Sequence, residues 1–460
     1  MSAPFVFAGS LYLPLQLSPE IEARVERLFV VANMPVMKRP IPIKYVQEAI
    51  GKTSRTHPRL SLSVKNYLDR YSASAGISHF QISASTSGGA DMIAPNRRGG
   101  STRSDYEVSA SAYWVMNELV AVNVGGFATD GTTGAKDTFA EGSFISLGWD
   151  YFQADIGFRP HWWGPFQDSD MLLSTSAAAL PSITLSNVKP LPFLNMNYEV
   201  FLGEMSESDE ILSETRDERL SGNPLLFGTN LSINPFAGMA VGISRILQFG
   251  GADRDQSLSG LYDAYFNTKE ADNIGFAGND FGNQASSISV RYTFAGEFPL
   301  SVYMQYAGED TSKPSDFHLG NTALMLGIHM PQIARNLDFT LETAEWQNGW
   351  YTNTNYGDGL RQHNSVIGHW GGNYKTSERD LGATAICAKL IWDIRNGQSL
   401  TFKYRELENT SIVESEFETA RTATLEYARA TGKWISGITL SGGNDVSGEN
   451  FHQISAFIRW

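Results

Sequence analysis

From about residue 76 to the last residue, apolar side chains recur at every second position, the spacing of strands with two unlike faces. In 151–158, Phe152, Ala154, Ile156 and Phe158 share one face while Tyr151, Gln153, Asp155 and Gly157 take the other. Over 193–202, Leu194, Met196, Tyr198, Val200 and Leu202 oppose Asn195, Asn197 and Glu199, and over 288–294, Ile288, Val290, Tyr292 and Phe294 oppose Ser289, Arg291 and Thr293. Read along the whole chain, this pattern gives eighteen strands, the first near 76–85 and the last near 450–460. Their connections alternate. Tight turns follow the even-numbered strands, at Asn117, Asp150, 189–192, 234–236, Glu297, 331–335, 396–397 and Gly432. Long loops follow the odd ones, notably 86–103, 128–141, 159–180, 206–224, 248–284 and 347–382. A soluble sandwich alternates too, but an even-stranded meander with tight turns at one rim and long loops at the other is the plan of an outer-membrane β-barrel with periplasmic turns. On that plan Leu194, Met196, Tyr198 and Val200 face lipid, Asn195, Asn197 and Glu199 face the lumen, and both ends of the barrel chain lie at the periplasmic rim.

The first 75 residues follow a different period. Ser18-Pro19-Glu20 reads as an N-cap, a proline at the first helical position and an acid in the first turn, after which Ile21, Val25, Leu28 and Phe29 form one stripe. A second helix is expected over 43–50, ending at Gly51, and a third carries Leu60, Val64, Tyr67, Leu68 and Tyr71 after Pro58. None is large enough to fold alone, so residues 1–75 are expected to form a helical bundle over the periplasmic mouth of a barrel spanning 76–460. No Gly/Ser linker separates the two.

Composition narrows the function. With 35 Lys+Arg against 49 Asp+Glu, a net −14, the chain has no basic field for nucleic acid. Aromatics at 12% and 43 Gly exclude a disordered chain, and no apolar run approaches a spanning helix. The start shows no basic segment and apolar core of a signal peptide, so export is argued from the barrel pattern. The single cysteine, Cys387, forms no internal disulfide, and the eight histidines are scattered, so neither metal nor cofactor is expected. No nucleophile-elbow or phosphate-cradling pattern is present, and the expectation is a protein without enzymatic activity.

Two stretches carry the candidate chemistry. The string Gly157-Phe158-Arg159-Pro160-His161-Trp162-Trp163-Gly164-Pro165-Phe166 sets two tryptophans beside Arg159 and His161. Flat rings suit sugar C–H faces and the cations suit hydroxyls or carboxylates. The same string could instead fold into the lumen as a plug, with Arg159 satisfying backbone carbonyls. The loop 347–382 interleaves Trp350, Tyr351, Tyr356, Arg361, His363, His369, Trp370, Tyr374 and Lys375 with glycines. Rigid scaffolds display function on such loops, although barrels also use Trp and Tyr for interfacial girdles. The acids of 204–218, among them Glu207, Asp209, Glu210, Glu214 and Asp217, read as a solvated outer loop.

The string at 157–166, the proline-rich Pro190-Leu191-Pro192, the N-terminal helical segment and Leu247-Gln248-Phe249-Gly250-Gly251 together resemble the capsule-assembly Wzi family of outer-membrane lectins. That resemblance implies an eighteen-stranded barrel with a helical bundle at its periplasmic end and an activity of binding surface polysaccharide. The expectation is therefore an all-β outer-membrane barrel that binds capsular or exopolysaccharide at its extracellular loops and helps retain it at the cell surface. Its candidate contacts are Arg159, His161, Trp162, Trp163, Trp350, Tyr351, Tyr356, Arg361, Trp370 and Tyr374. Outer-membrane lipid, lipopolysaccharide and a polysaccharide export apparatus are the other expected partners, and a passive porin or sugar channel is the rival reading.

Overall fold

The computed structural model describes residues 11–130, 138–215, 218–266, 281–311, 319–334, 336–374, 381–395, 397–410 and 417–460. Its main body is one closed antiparallel barrel. The strands are β1 (Ala75–Gly89), β2 (Tyr106–Val115), β3 (Val120–Thr129), β4 (Phe144–Trp149), β5 (Phe152–Gly157), β6 (Ser182–Ser186), β7 (Asn197–Glu204), β8 (Leu225–Ile233) and β9 (Met239–Phe249). They continue as β10 (Gly282–Phe294), β11 (Leu300–Thr311), β12 (Leu319–Ala334), β13 (Leu337–Trp346), β14 (Ala383–Arg395), β15 (Gln398–Asn409), β16 (Ala420–Thr431), β17 (Trp434–Asn444) and β18 (Asn450–Arg459). Each pairs with its sequence neighbours, and β1 closes the ring on β18 from Gln81↔Arg459 to Gly89↔Phe451. β4 is preceded by a two-residue piece, Thr138–Phe139, on the same edge of β3. Ser143 bridges the break between them, its hydroxyl donating to Gly125 O (2.6 Å) and accepting from Gly125 N–H (2.9 Å).

The eighteen strands and the alternation of turns and loops follow the expected plan. One segment does not. β7 begins at Asn197 rather than 193, because Phe193–Asn195 is a 3-10 turn in which Leu194 and Asn195 both have φ near +48°. Pro192 starts that turn, and Leu191 and Met196 exchange backbone bonds of 2.8 and 3.1 Å across it. Leu194 and Asn195 therefore sit at a turn tip, while Tyr198 and Val200 alternate outward against the buried, lumenal Glu199.

Period-two sorting gives the barrel two chemistries. Its outer face is a belt of exposed aliphatics, including Ile145, Leu231, Ile243, Leu326, Ile386 and Leu440, with Trp114, Trp149, Phe294, Trp392 and Trp434 at the tight-turn rim. Such a belt with an aromatic girdle is the surface a lipid bilayer covers. No helix among the described residues is long and apolar enough to cross a membrane, so the strands do the crossing.

Three helices, α1 (Pro19–Val31), α2 (Ile43–Thr53) and α3 (Pro58–Leu68), pack together at the tight-turn end. Ser18 has the extended N-cap conformation but makes no side-chain cap bond. The α1 stripe of Val25, Leu28 and Phe29 meets Val46 and Ala49 of α2 and Val64 and Leu68 of α3. The other side of α1 is charged and turned to the wall. Glu26 accepts from Arg39 (2.5 Å) and from Arg291 of β10 (2.9 Å), and Arg27 pairs with Asp338 of β13. A fourth helix, α4 (Leu258–Phe266), lies in the loop between β9 and β10.

Candidate binding surface over a plugged lumen

The chain leaves β5 at Gly157, turns into the barrel and returns to β6 only at Ser182. Its first anchor is one carboxylate on the inward face of β7. Glu199 accepts from Arg159 Nη2 (2.9 Å) and from Trp163 Nε1 (2.8 Å), and lies 2.8 Å from His161 Nδ1. Arg159 also reaches Asp155 Oδ2 at 3.0 Å and stands 4.9 Å from the centre of the Tyr12 ring. His161 stacks on Phe201, with ring centroids 4.2 Å apart. Arg159, His161, Trp162 and Trp163 are all buried. Arg159 thus satisfies carboxylates rather than the expected carbonyls, which is what a guanidinium without water requires. Burial lowers the His161 pKa and so favours its neutral ring, and it brings Lys38, beside Glu199, down to about 8.

Trp162 and Trp163 also pair, in antiparallel register, with Arg39 and Lys38 from the segment linking α1 to α2. The next residue, Gly164, donates its N–H to Met37 O (2.8 Å). Its φ of +102° and the 2.0 Å that would separate a Cβ from Asp170 Oδ2 leave room for glycine alone.

The second anchor is Asp168. It accepts from Arg405 Nη2 (2.7 Å) and Nε (2.9 Å), from Lys403 Nζ (3.2 Å) and from Trp370 Nε1 (3.0 Å). Burial alone would raise this carboxyl, but Arg405 and Lys403 hold it well below the usual carboxylate range. The backbone N–H groups of Gln167 and Asp168 donate to Glu342 of β13 at 2.8 and 2.9 Å. The plug is therefore tied across the lumen, to β7 on one side and to β13 and β15 on the other.

The 347–382 loop interlocks with it from the long-loop side. Tyr351 donates to Met171 O (2.7 Å) and accepts from His369 N–H (2.7 Å), Ser174 N–H donates to Ile367 O (2.8 Å), and Trp370 bonds Asp168 as above. Tyr356 donates to Gly250 O (3.0 Å) and Tyr374 to Ile93 O (3.2 Å). Trp350, Tyr351, Tyr356, Trp370 and Tyr374 are all buried, so their rings are not the open platforms the sequence suggested. Trp350, Tyr351, Trp370 and Tyr374 pack in a lumenal core shared with Trp163, Phe166, Phe201 and Leu407. Lys375 and Asp217 lie outside the described residues.

Of the expected contacts, Arg361 alone is partly open to solvent. It begins a small hairpin in which Arg361–Gln362 pairs with Ser365–Val366. His363 and Asn364 form its two-residue turn with φ of +47° and +65°, the positive pair of a type I′ turn. Arg361 donates to Asn364 O (2.8 Å) and Gly372 O (3.1 Å), while Asn373 accepts from Val366 N–H (2.8 Å) and donates to Ser176 Oγ (2.9 Å). A polar surface of Arg361, His363, Asn364 and Asn373 thus stands over a rigid aromatic floor. Its donors and acceptors match a hydroxyl-rich partner. Asn364 and Asn373 were missed in the sequence, where a turn-forming His-Asn pair directly after Arg-Gln was the available signal. Exposed acids of 204–218, including Asp209, Glu210 and Glu214, project from an adjoining hairpin formed by Ser208–Leu212 and Arg219–Gly222.

The family profile for Capsule assembly protein Wzi matches residues 77–444. Among solved structures, Wzi of Escherichia coli, an outer-membrane protein involved in group 1 capsule assembly and described as a carbohydrate-binding β-barrel, superposes with a TM-score of 0.71. The two are 16% identical, over 98% of this chain and 99% of the other. An uncharacterized 55.8 kDa protein in the cps region of Klebsiella pneumoniae is 23% identical over 167 residues, 34% of this chain and 30% of that relative's length.

Proposed function

The chain belongs to the capsule assembly protein Wzi family, and from that premise we propose that it is a lectin of the outer membrane that holds capsular or extracellular polysaccharide on the surface formed by its long loops. The barrel sits in the outer membrane with its apolar belt in lipid, and the tight turns and helical bundle face the periplasm. Polymer retention is a matter of weak contacts multiplied along a repeating chain. The protein binds without breaking bonds, and lipopolysaccharide surrounds the outer half of the belt.

One observation carries this reading: the rings of the two candidate stretches are spent on packing a plug across the lumen, so what their described residues leave open to solvent is the hydrogen-bonding layer around Arg361. A lumen crossed by residues 158–181 and filled by helices at its other mouth speaks against the porin reading. Delivery of polymer by an export apparatus would meet the periplasmic bundle rather than this layer. In encapsulated cells, Arg361→Ala combined with Asn364→Ala should shift polysaccharide from the cell-associated to the released fraction at unchanged barrel abundance. Full retention of polymer by that variant would remove the hairpin from the binding surface.

A further inference from the structure

The loop after β9 contains a helix whose position the barrel plan does not require. Ser257 caps α4, its hydroxyl accepting from Gly260 N–H (3.0 Å), and Asp255 accepts from Ser257 N–H (2.8 Å). The helix does not join the plug. It folds back over the outside of the wall, where Leu261 and Ala264 pack on Leu247 and Phe249, flanked by Leu225 and Phe227. These wall residues alternate with Leu226 and Ile246 of the lumenal core, so they belong to the outward face.

The wall beneath α4 is unusual. Leu231, Ile243 and Ile288 form an exposed apolar row of the lipid belt. Two positions nearer the long-loop rim, the corresponding row is Thr229, Arg245 and Ser286, with Gln284 beyond it. A guanidinium on the outer wall of a barrel is costly wherever lipid touches it. α4 covers this one. Arg245 donates to Tyr265 O (2.6 Å) and Ala264 O (3.1 Å), bonds Gln284, and lies 4.4 Å from the Tyr265 ring centroid, while the Tyr265 hydroxyl bonds Thr229. Those carbonyls belong to the C-terminal, negative end of the helix, where a cation is favoured.

Having buried one face on the wall, α4 turns another outward. Leu258, Tyr262 and Phe266 are 76%, 63% and 69% exposed, at i, i+4 and i+8, and so make one stripe. Tyr262 has the amphipathic ring that settles at the headgroup boundary, and Leu258 and Phe266 are side chains of the kind an interfacial helix buries on its apolar face. The stripe continues the lipid belt at the level where the wall itself becomes polar. We propose that α4 is an interfacial helix that lies in the outer leaflet, with Leu258, Tyr262 and Phe266 seated among lipid acyl chains and headgroups. It replaces a polar strip of wall with apolar surface and holds the start of this loop against the bilayer, away from the polymer-facing hairpin. The inference rests on the outer-membrane placement of the barrel.

Site-directed spin labelling in phosphatidylcholine vesicles tests it. Labels are placed singly through Tyr262→Cys, Phe266→Cys and, should either variant fail to fold, Leu258→Cys, all with Cys387→Ala. Leu326→Cys on the belt and Asp209→Cys on the acidic hairpin are the references. At the α4 positions, collisions with oxygen should exceed those with an aqueous nickel chelate, as at Leu326, while the ratio falls below unity at Asp209. Water-like ratios on α4 with a lipid-like Leu326 would overturn the proposal and leave the membrane placement standing. A water-like Leu326 would overturn both. Spin–spin broadening between copies at Phe266, with both collision rates suppressed, would mean that a second copy of the chain covers the stripe, and would overturn the lipid assignment too.

Discussion

At the tight-turn mouth, three helices fill the lumen with a core largely of their own making: Val25, Leu28, Phe29, Val46, Ala49, Val64 and Leu68 meet one another, and the wall adds Tyr113 and Ala121. At the long-loop half, residues 158–181 contain a single two-residue strand, and their apolar side chains, Trp163, Phe166, Met171 and Leu172, share one core with Phe201, Leu226, Tyr303 and Ala344 of the wall. The bundle is held to the wall by charges at its edge, such as Glu26 with Arg291 and Arg27 with Asp338. The plug is held by carboxylates and rings at its centre. A bundle with its own core is a separable part, whereas a plug whose apolar side chains are shared with the wall belongs to the barrel's own stability. The difference also sorts the work: the plug is the floor on which the outer hairpin stands, and the bundle closes the opposite mouth.

The largest effects should come from deletions. Removing residues 160–180 strips the wall of its lumenal partners and is expected to abolish heat-modifiable migration, the mark of a folded barrel. Removing residues 11–72 takes away Met37, Lys38 and Arg39, the backbone partners of Gly164, Trp163 and Trp162, but leaves the anchors at Glu199, Asp168 and Glu342. The migration should therefore survive, and conductance in planar bilayers should rise modestly. Porin-like currents from the bundle deletion would show that the bundle is the principal barrier and break the comparison.

Single charges should divide in the same way. Asp168→Ala leaves the buried Arg405, and the partly exposed Lys403 beside it, without their carboxylate, a change of the kind that costs about 3–5 kcal/mol. The loss should appear as a lower denaturant midpoint for the whole barrel. Glu26→Ala orphans Arg39 and Arg291 similarly, but its expected readout is proteolysis of the first 72 residues while the barrel midpoint holds. A common shift of the barrel transition in both variants would mean that bundle and plug unfold as one unit.

A smaller, pH-dependent difference should mark the plug. Burial pushes the Asp170 carboxyl up to about 7, against the Leu172 N–H and the Gln305 amide that donate to it. The folded value lies above the ordinary carboxylate value of about 3.9, so the stability tied to the neutral form is fully present below about pH 4 and is lost as pH rises through about 7. Asp170→Asn stays neutral and should flatten that decline in urea-midpoint profiles between these limits. An unchanged slope would assign the pH dependence to another group.

Much of this architecture was legible from the spacing of apolar residues. Loop parity gave the strand number and rims because tight turns and long loops are properties of local sequence, and the helical stripe from Val25 to Phe29 marked α1 for the same reason. The failures have physical causes. Leu194 and Asn195 keep the alternation of a strand, but Pro192 and two left-handed residues fold them into a turn. The sequence reading of 248–284 is a long loop, although Asp255 and Ser257 ahead of Leu258, Leu261, Tyr262 and Tyr265 carry the cap and helical spacing of α4. At the candidate surface, the ring-rich stretches read either as open platforms or as packing, because period and composition do not tell whether a loop lies over a lumen or within it. The partners that settle this, Glu199 for Trp163 and Asp168 for Trp370, are 36 and 202 residues away in the chain.

The central claim is that the polar layer around Arg361 binds polymer while the rings beneath only support it. Equilibrium binding of purified capsular polysaccharide to the protein in lipid nanodiscs tests this most directly, comparing the wild type with Arg361→Ala and with the ring-preserving floor variant Tyr351→Phe. Loss of one charge-assisted contact, worth about 1.5–3 kcal/mol, predicts at least about tenfold weaker binding by the folded fraction of Arg361→Ala, whose lost bonds to Asn364 O and Gly372 O should loosen the hairpin rather than the barrel. Tyr351→Phe, which loses its bond to Met171 O, should lower the midpoint and leave the affinity of the folded fraction near wild type. Unaltered affinity in Arg361→Ala, with a loss in Tyr351→Phe at full stability, would contradict the account and move the site into the plug.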